Sequence, residues 1–313
     1  MYRTILVPLD GSTLSECALP MAVYLARATK AKIVLVRAAW VPDEPGLDPI
    51  ASQMWAAREA RTYLEGVASN LSAYKVQIET YVPFALPHEG ILREIELRHA
   101  DVVVMSTHGD NAPEPKLFGS VARAVVARCH VPVLLIRMGL GSPTMLPKPN
   151  ADTLLVPLDG SPFAEAILPY AADLAGTLNW HMVLMHIIIE ADQESPLLVE
   201  HTDTPAIAEH YLAEVAARLQ PLGLDVRSIV RVGTPATVVL EESEAAHVGM
   251  VVMATHGQTG MREMLFGSVA QDVLHFANTP LLLVRPADLA DQPPGNGNLT
   301  AQMVERMAGR SYT

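Results

Sequence analysis

The chain is written twice. "ILVPLDGS" at residues 5–12 returns as "LLVPLDGS" at 154–161, an offset of 149 residues. "STHG" (106–109) returns as "ATHG" (254–257), "FGSVA" (118–122) as "FGSVA" (266–270) and "VPVLLIR" (131–137) as "TPLLLVR" (279–285), each at an offset of 148. Anchors that recur in the same order, with a drift of one residue, mean two copies of one folding unit. The join, "GLGSPTMLPKPN" (139–150), is rich in proline and glycine and favours a linker over a packed element. The expected organisation is a first domain over 1–140, a linker over 141–151, a second domain over 152–286 and a tail over 287–313. In the tail, "ADQPPGNGN" reads as a flexible break and "LTAQMVERMAG" as a short helix.

Inside each copy the periods alternate. The runs "TILVPL", "KIVLVRA", "VQIETYV", "DVVVMS" and "PVLLIR" predict strands buried on both faces. Between such runs the spacing is helical: Phe163, Ile167, Tyr170, Leu174 and Leu178 recur at three or four residues and predict one apolar stripe against a sheet. Strands alternating with helices predict an α/β fold in each copy. It is an open, five-stranded, parallel, doubly wound sheet with helices on both faces and right-handed crossovers. Ligands of such sheets sit beyond the carboxyl ends of the strands, at the switch in strand order. "PLDGS" and Thr-His-Gly both lie at strand ends of that kind.

Composition narrows the function. Half of the residues are hydrophobic, enough for two cores, but the longest apolar segment, "HMVLMHIII" (181–189), is too short to span a bilayer. "MYRTILVPLD" reads as an opening strand rather than a secretory leader, and Cys17 and Cys129 lack metal-ligand spacing. A cytoplasmic protein with buried, reduced thiols and no membrane association is expected. The net charge of −12 argues against nucleic acid as a partner. Residues 1–148 carry a net +1 and residues 149–313 a net −13, which reads as drift on a solvated surface.

The glycines point to an anion. In the second copy a strand ends near Ala254, a loop holding Gly257 and Gly260 follows, and a helix begins at Gly267-Ser268. Freed backbone N–H groups and the helix dipole at such a start favour negative charge by roughly 0.3–1 kcal/mol. Ser268 adds a hydroxyl and Arg262 a charge. The same residues also suit a loop that needs glycine only to turn and a serine that only caps. No Lys-Ser/Thr follows the glycines, so this is not a Walker loop, and it does not follow a first strand as a dinucleotide turn would. His108 and His256 hold equivalent positions without a partner at ligand spacing, so a structural or ligand-contact role is expected and no metal site. No nucleophile is paired with a base, and "PLDGS" is not the G-x-S-x-G elbow. The sequence does not announce an enzyme.

Taken together, "ILVPLDGS", "ATHGQTG…LFGSVA" and "TPLLLVR" resemble the universal stress protein family, over about nine-tenths of the chain and in its tandem, two-domain form. The family's ATP-binding branch carries G-x2-G-x9-G-[ST]. The second copy reads Ala254-x2-Gly257-x9-Gly267-Ser268, with alanine for the first glycine and Gly260 softening the loop. The resemblance implies that amides at Gly257, Gly267, Ser268 and Val269, with Arg262 nearby, hold phosphates. It implies that Asp159 contacts the nucleoside, that the backbone of Ile187 reads adenine, and that Pro157 lines the pocket. The first copy reads Ser106-x2-Gly109-x9-Gly119-Ser120 around "DNAPEPK". Pro113 and Pro115 offer no N–H, Asp110 and Glu114 repel phosphate, and Lys116 offsets one of those charges. Its matching positions, Pro8, Asp10, Ala38, Gly109, Gly119, Ser120 and Val121, are expected to be degenerate or to take another ligand.

The resemblance therefore implies a regulatory protein that binds ATP with Mg, mainly in the second domain, and hydrolyses it slowly if at all. The alternative is a nucleotide-free interaction protein whose glycine loops are remnants. An ATPase or nucleotidyl-transfer site formed between domains would need catalytic groups that the sequence does not show. Family members pair through the last strand, and "VPVLLIR" and "TPLLLVR" are apolar. Pseudo-symmetric pairing of the two domains, a homodimer and a protein partner of unknown identity are expected.

Overall fold

The computed structural model describes residues 2–41, 48–108, 118–137, 151–189, 204–245, 247–255 and 266–285. The chain forms two compact units that divide within the stretch joining the repeats. In the first domain the strands are β1 (Thr4–Pro8), β2 (Lys32–Val36), β3 (Ile78–Tyr81), β4 (Val102–Ser106) and β5 (Val133–Ile136). Its helices are α1 (Thr13–Glu16), α2 (Leu19–Thr29), α3 (Pro49–Leu71), α4 (Pro87–Arg98) and α5 (Ser120–Arg128). The second domain repeats the series as β6 (Thr153–Pro157), β7 (His181–Ile188), β8 (Val226–Val232), β9 (Val248–Ala254) and β10 (Leu281–Val284). Its helices are α6 (Pro162–Glu165), α7 (Leu168–Leu178), α8 (Pro205–Leu219), α9 (Pro235–Ser243) and α10 (Ser268–Phe276).

Every pairing within a domain is parallel, in the order β3-β2-β1-β4-β5 and its counterpart β8-β7-β6-β9-β10. The chain runs outward from β1 to β3, returns to the other side of β1 and continues through β4 to β5. Right-handed crossovers then set α2 and α3 on one face and α4 and α5 on the other. The switch in direction falls between β1 and β4, and between β6 and β9. Strands β1, β5 and β6 supply much of the core: Ile5, Leu6, Leu134, Ile136 and Leu154 are fully buried. Cys17 and Cys129 are free, buried thiols, and burial raises the pKa of both, that of Cys129 to about 11.

Two expectations need correction. The first crossover of each domain is not one helix but a short helix followed by a longer one. Pro20 and Pro169 stand in the first turns of α2 and α7, four residues after Glu16 and Glu165. A proline ring collides with the carbonyl four residues earlier and donates no N–H, so α1 and α6 stop at those glutamates. Of the predicted stripe, Ile167 and Leu174 are buried, whereas Phe163, Tyr170 and Leu178 are half-buried. Burial on both faces also fails at β3 and β8, though not at β5 and β10. All four residues of β3 are half-buried, and Arg227, Ser228, Arg231 and Val232 of β8 are exposed. β3 and β8 end the strand order with a neighbour on one side only, and polar side chains there blunt the open edge.

Candidate functional site

At the carboxyl end of β6 the chain turns sharply through Asp159-Gly160-Ser161. Gly160 takes φ +81°, and Asp159 Oδ1 accepts the Ser161 N–H at 2.9 Å. Ser161 Oγ in turn accepts the Ala164 N–H at 3.1 Å and caps α6. The first domain builds the same turn. Asp10 Oδ1 accepts the Ser12 N–H at 2.9 Å and its hydroxyl at 2.6 Å, Gly11 takes φ +97°, and Ser12 caps α1. The serines of "PLDGS" are thus helix caps.

Across the switch point, β9 ends at the buried pair Ala254 and Thr255. The Thr255 N–H donates to Val284 O at 3.0 Å, and the Gly267 N–H donates to Thr255 O at 2.8 Å, which pins the start of α10 to the end of β9. In the first domain Gly119 N–H donates to Thr107 O at 2.9 Å. A Cβ at 119 would stand 3.0 Å from that oxygen, so this approach requires glycine. Gly267 and Gly119 occupy the N-cap positions, and no side chain caps α10 or α5 there, whereas Ser12, Asp48, Ser161 and Thr204 each cap a helix. The first-turn amides of Ser268 and Val269, and of Ser120 and Val121, thus receive no N-cap side chain, as is also true at the starts of α2, α4, α7 and α9. Ser268 and Ser120 are exposed.

The fold thus gathers Pro157, Asp159, Ile187, Ala254, Gly267, Ser268 and Val269 at one end of the second sheet. Pro8, Asp10, Ala38, Gly119, Ser120 and Val121 take the same places in the first. Gly257, Gly260, Arg262, His256 and Gly109 lie outside the described residues. His108 serves a turn: its N–H donates to Ser106 Oγ at 3.1 Å and its Nδ1 lies 2.7 Å from Thr107 Oγ1. Among the described residues no three His, Cys, Asp or Glu side chains are placed to hold a metal ion, and no helix is long and apolar enough to cross a membrane.

Beneath each Asp-Gly turn lies a network that sequence reasoning missed. Tyr63 of α3 donates its hydroxyl to Glu16 Oε1 at 2.8 Å. The Arg37 guanidinium lies 4.8 Å over the Tyr63 ring, bonds Glu59 at 2.8 Å and rests against Gly11, where a Cβ would come within 3.0 Å of its Cζ. In the second domain Tyr211 faces Glu165, and Arg218 binds that carboxylate at 2.6 Å. His186 replaces the stacked arginine. It is buried, its Nδ1–H donates to Leu158 O at 2.9 Å, and its ring meets Tyr211 edge-on at 5.7 Å. Burial first, and the neighbouring glutamate next, hold both phenols well above the usual tyrosine range, so they stay neutral. The only sequence signal is a shared Ser-x3-Glu at 12–16 and 161–165, with tyrosines 148 residues apart.

Comparison with known proteins adds the family. The sequence profile of the universal stress protein family matches residues 1–137 and again 150–285. The chain is 28% identical over 214 residues to a universal stress protein of Mycobacterium tuberculosis, covering 67% of this chain and 70% of the relative. It is 27% identical over 298 residues to a universal stress protein of Mycolicibacterium smegmatis, covering 90% and 97%. Among solved structures, a universal stress protein from Archaeoglobus fulgidus superposes with a TM-score of 0.67 at 21% identity, covering 91% of this chain and 97% of that one, which shows a shared fold.

Proposed function

The chain belongs to the universal stress protein family as a tandem, two-domain member, and on that premise we propose that it is a regulatory ATP-binding protein whose nucleotide is held mainly in the second domain. The start of α10 carries this reading. A glycine N-cap is pinned to the end of β9, and no N-cap side chain takes the first-turn amides of Ser268 and Val269. Such amides, with the helix dipole behind them, suit phosphate oxygens. Asp159 stands at the adjacent strand end, where a carboxylate accepts from a ribose hydroxyl, Pro157 lines the pocket and the backbone of Ile187 reads the adenine. Gly257, Gly260 and Arg262 complete the phosphate-binding set by their place in the sequence. Bound ATP brings its own charge and its Mg ion; the chain's residues bind and orient it. The role is regulatory, and hydrolysis, where it occurs, is slow.

The first domain shares the geometry at Gly119, Ser120 and Val121, but its loop carries Pro113, Pro115, Asp110 and Glu114. We assign it a different use. The second reading, a nucleotide-free interaction protein that assembles as a homodimer or with a protein partner, is favoured by the apolar surface of that same domain described below. Replacing Ser268 by proline separates the two readings. Proline is tolerated at the first helical position, where it removes one amide donor and leaves the helix intact. Calorimetry is expected to show Mg-ATP affinity falling at least ~10-fold with an unchanged fold. Equal affinity in the variant and the parent would sink the phosphate assignment.

A further inference from the structure

The helices α3 and α8 are the same element of the repeat, and their buried residues correspond one for one: Ala60, Leu64, Val67 and Leu71 against Ala208, Leu212, Val215 and Leu219. Their lengths do not correspond. α8 has 15 residues and starts three residues before its first buried side chain; α3 has 23 and starts eleven before. The excess lies at the amino end of α3, about two turns of helix that no buried side chain anchors. Its sequence, "PIASQMWA" over 49–56, holds no charge. Ile50, Met54 and Trp55 on it are 72%, 68% and 69% exposed.

Two neighbouring segments extend this surface. Gln53 donates its side-chain N–H to Ala39 O, and the Ala39 N–H donates to Pro83 O at 3.0 Å, so the segments after β2 and β3 converge on the helix. The residues that follow, Trp40 and Phe84, are 48% and 65% exposed. An uncharged helical overhang that bares Ile50, Met54 and Trp55, with Trp40 and Phe84 exposed on the two segments that converge on it, is a surface that monomeric domains rarely keep.

We propose that this face is a self-association surface: a second copy of the chain packs its own α3 overhang antiparallel against the first, across a two-fold axis near Gln53. Area supports a second copy. The exposed parts of these five side chains amount to roughly 600 Å² per copy, or about 1,200 Å² for a two-fold pair, the lower end of specific interfaces. Charge supports it also. Residues 1–148 carry a net +1, so two first domains meet without repulsion, while residues 149–313 carry −13 and would repel their like. An antiparallel crossing at Gln53 further sets Asp48 of one copy opposite Arg58 of the other, five residues to either side of the axis. The inference does not depend on the nucleotide reading.

The test is sedimentation velocity on the full chain over a range of concentrations. A dimer is expected, and the double variant Met54→Glu, Trp55→Glu raises its dissociation constant by roughly thirtyfold or more, the loss of one central aromatic anchor, with the circular dichroism spectrum unchanged. Ile207→Glu on α8, a change at an apolar residue that is 55% exposed, leaves the dimer intact. Because Cys17 and Cys129 are buried, Met54→Cys adds a single accessible thiol among the described residues, and oxidation is expected to link two copies covalently. A chain that stays monomeric, or a dimer that survives the double variant, would overturn the proposal.

Discussion

Tyr63 and Tyr211 hold equivalent positions, yet their hydroxyls keep different company. Tyr63 donates to the Glu16 carboxylate at 2.8 Å, whereas the Tyr211 hydroxyl stands beside a Glu165 carboxylate that Arg218 already engages at 2.6 Å. Hydrogen bonds to charged groups contribute about 1.5–3 kcal/mol when buried, and partial exposure of Tyr63 lowers that to about 1–2 kcal/mol. Tyr63→Phe is therefore expected to destabilise the first domain by that amount in urea unfolding, and Tyr211→Phe to change the second by less than about 0.5 kcal/mol. A larger loss for Tyr211→Phe would contradict the geometry. The turns differ in the same way. Gly160 and Gly11 both need a left-handed backbone, but a side chain at 160 meets open space while one at 11 meets the Arg37 guanidinium. Gly11→Ala is expected to lower the thermal midpoint more than Gly160→Ala. The Asp-Gly-Ser turns were legible in the sequence because their contacts are two or three residues long. The Tyr–Glu pairs were not, since each joins residues nearly fifty positions apart with no local motif between them.

At the scale of elements, the starts of α5 and α10 have glycine at the N-cap, and that of α10 is the one proposed to take phosphate. Ser268→Asp sets two consequences against each other. An acidic residue in the first turn stabilises a helix by about 0.3–1 kcal/mol, but it repels phosphate. The variant is expected to melt at the same temperature or slightly higher while binding Mg-ATP at least ~10-fold more weakly; tighter binding would refute the anion assignment. The outer strand of the first domain carries a pH signature. Lys32 bonds Glu79 at 3.0 Å, and that bond, chief among several, holds the glutamate below its ordinary range. A depressed carboxylate stabilises the fold above its unfolded pKa and loses that contribution as pH falls through the folded value. Acid unfolding of Glu79→Gln is thus expected to show a shallower loss of stability below the ordinary glutamate range than the parent. Strands and crossover order were legible from alternating periods. The break between α1 and α2 was not read, although Pro20 announces it, and neither was the α3 overhang, whose uncharged "PIASQMWA" has no stripe because it faces no sheet.

For the whole molecule, duplication fixes two similar scaffolds, and divergence in loops and charge underlies the unequal uses proposed for them. The repeat, the family and the parallel five-stranded sheets were legible because each rests on several ordered anchors. How the halves divide the labour was less so, because the loop that distinguishes them is a matter of backbone donors. The proposed ligand is the Mg complex of ATP, whose metal lowers the triphosphate's charge toward a half that carries −13. Chelating divalent ions is therefore expected to weaken ATP binding, as titration calorimetry with and without Mg would show. The most direct test of the account is to denature the freshly purified chain and to identify and count the released nucleotide by chromatography. About one ATP per chain is the predicted result, from one glycine loop fit for phosphate and one stiffened by proline. About two would contradict the unequal reading of the domains. None, followed by no calorimetric binding of Mg-ATP, would contradict the nucleotide assignment itself.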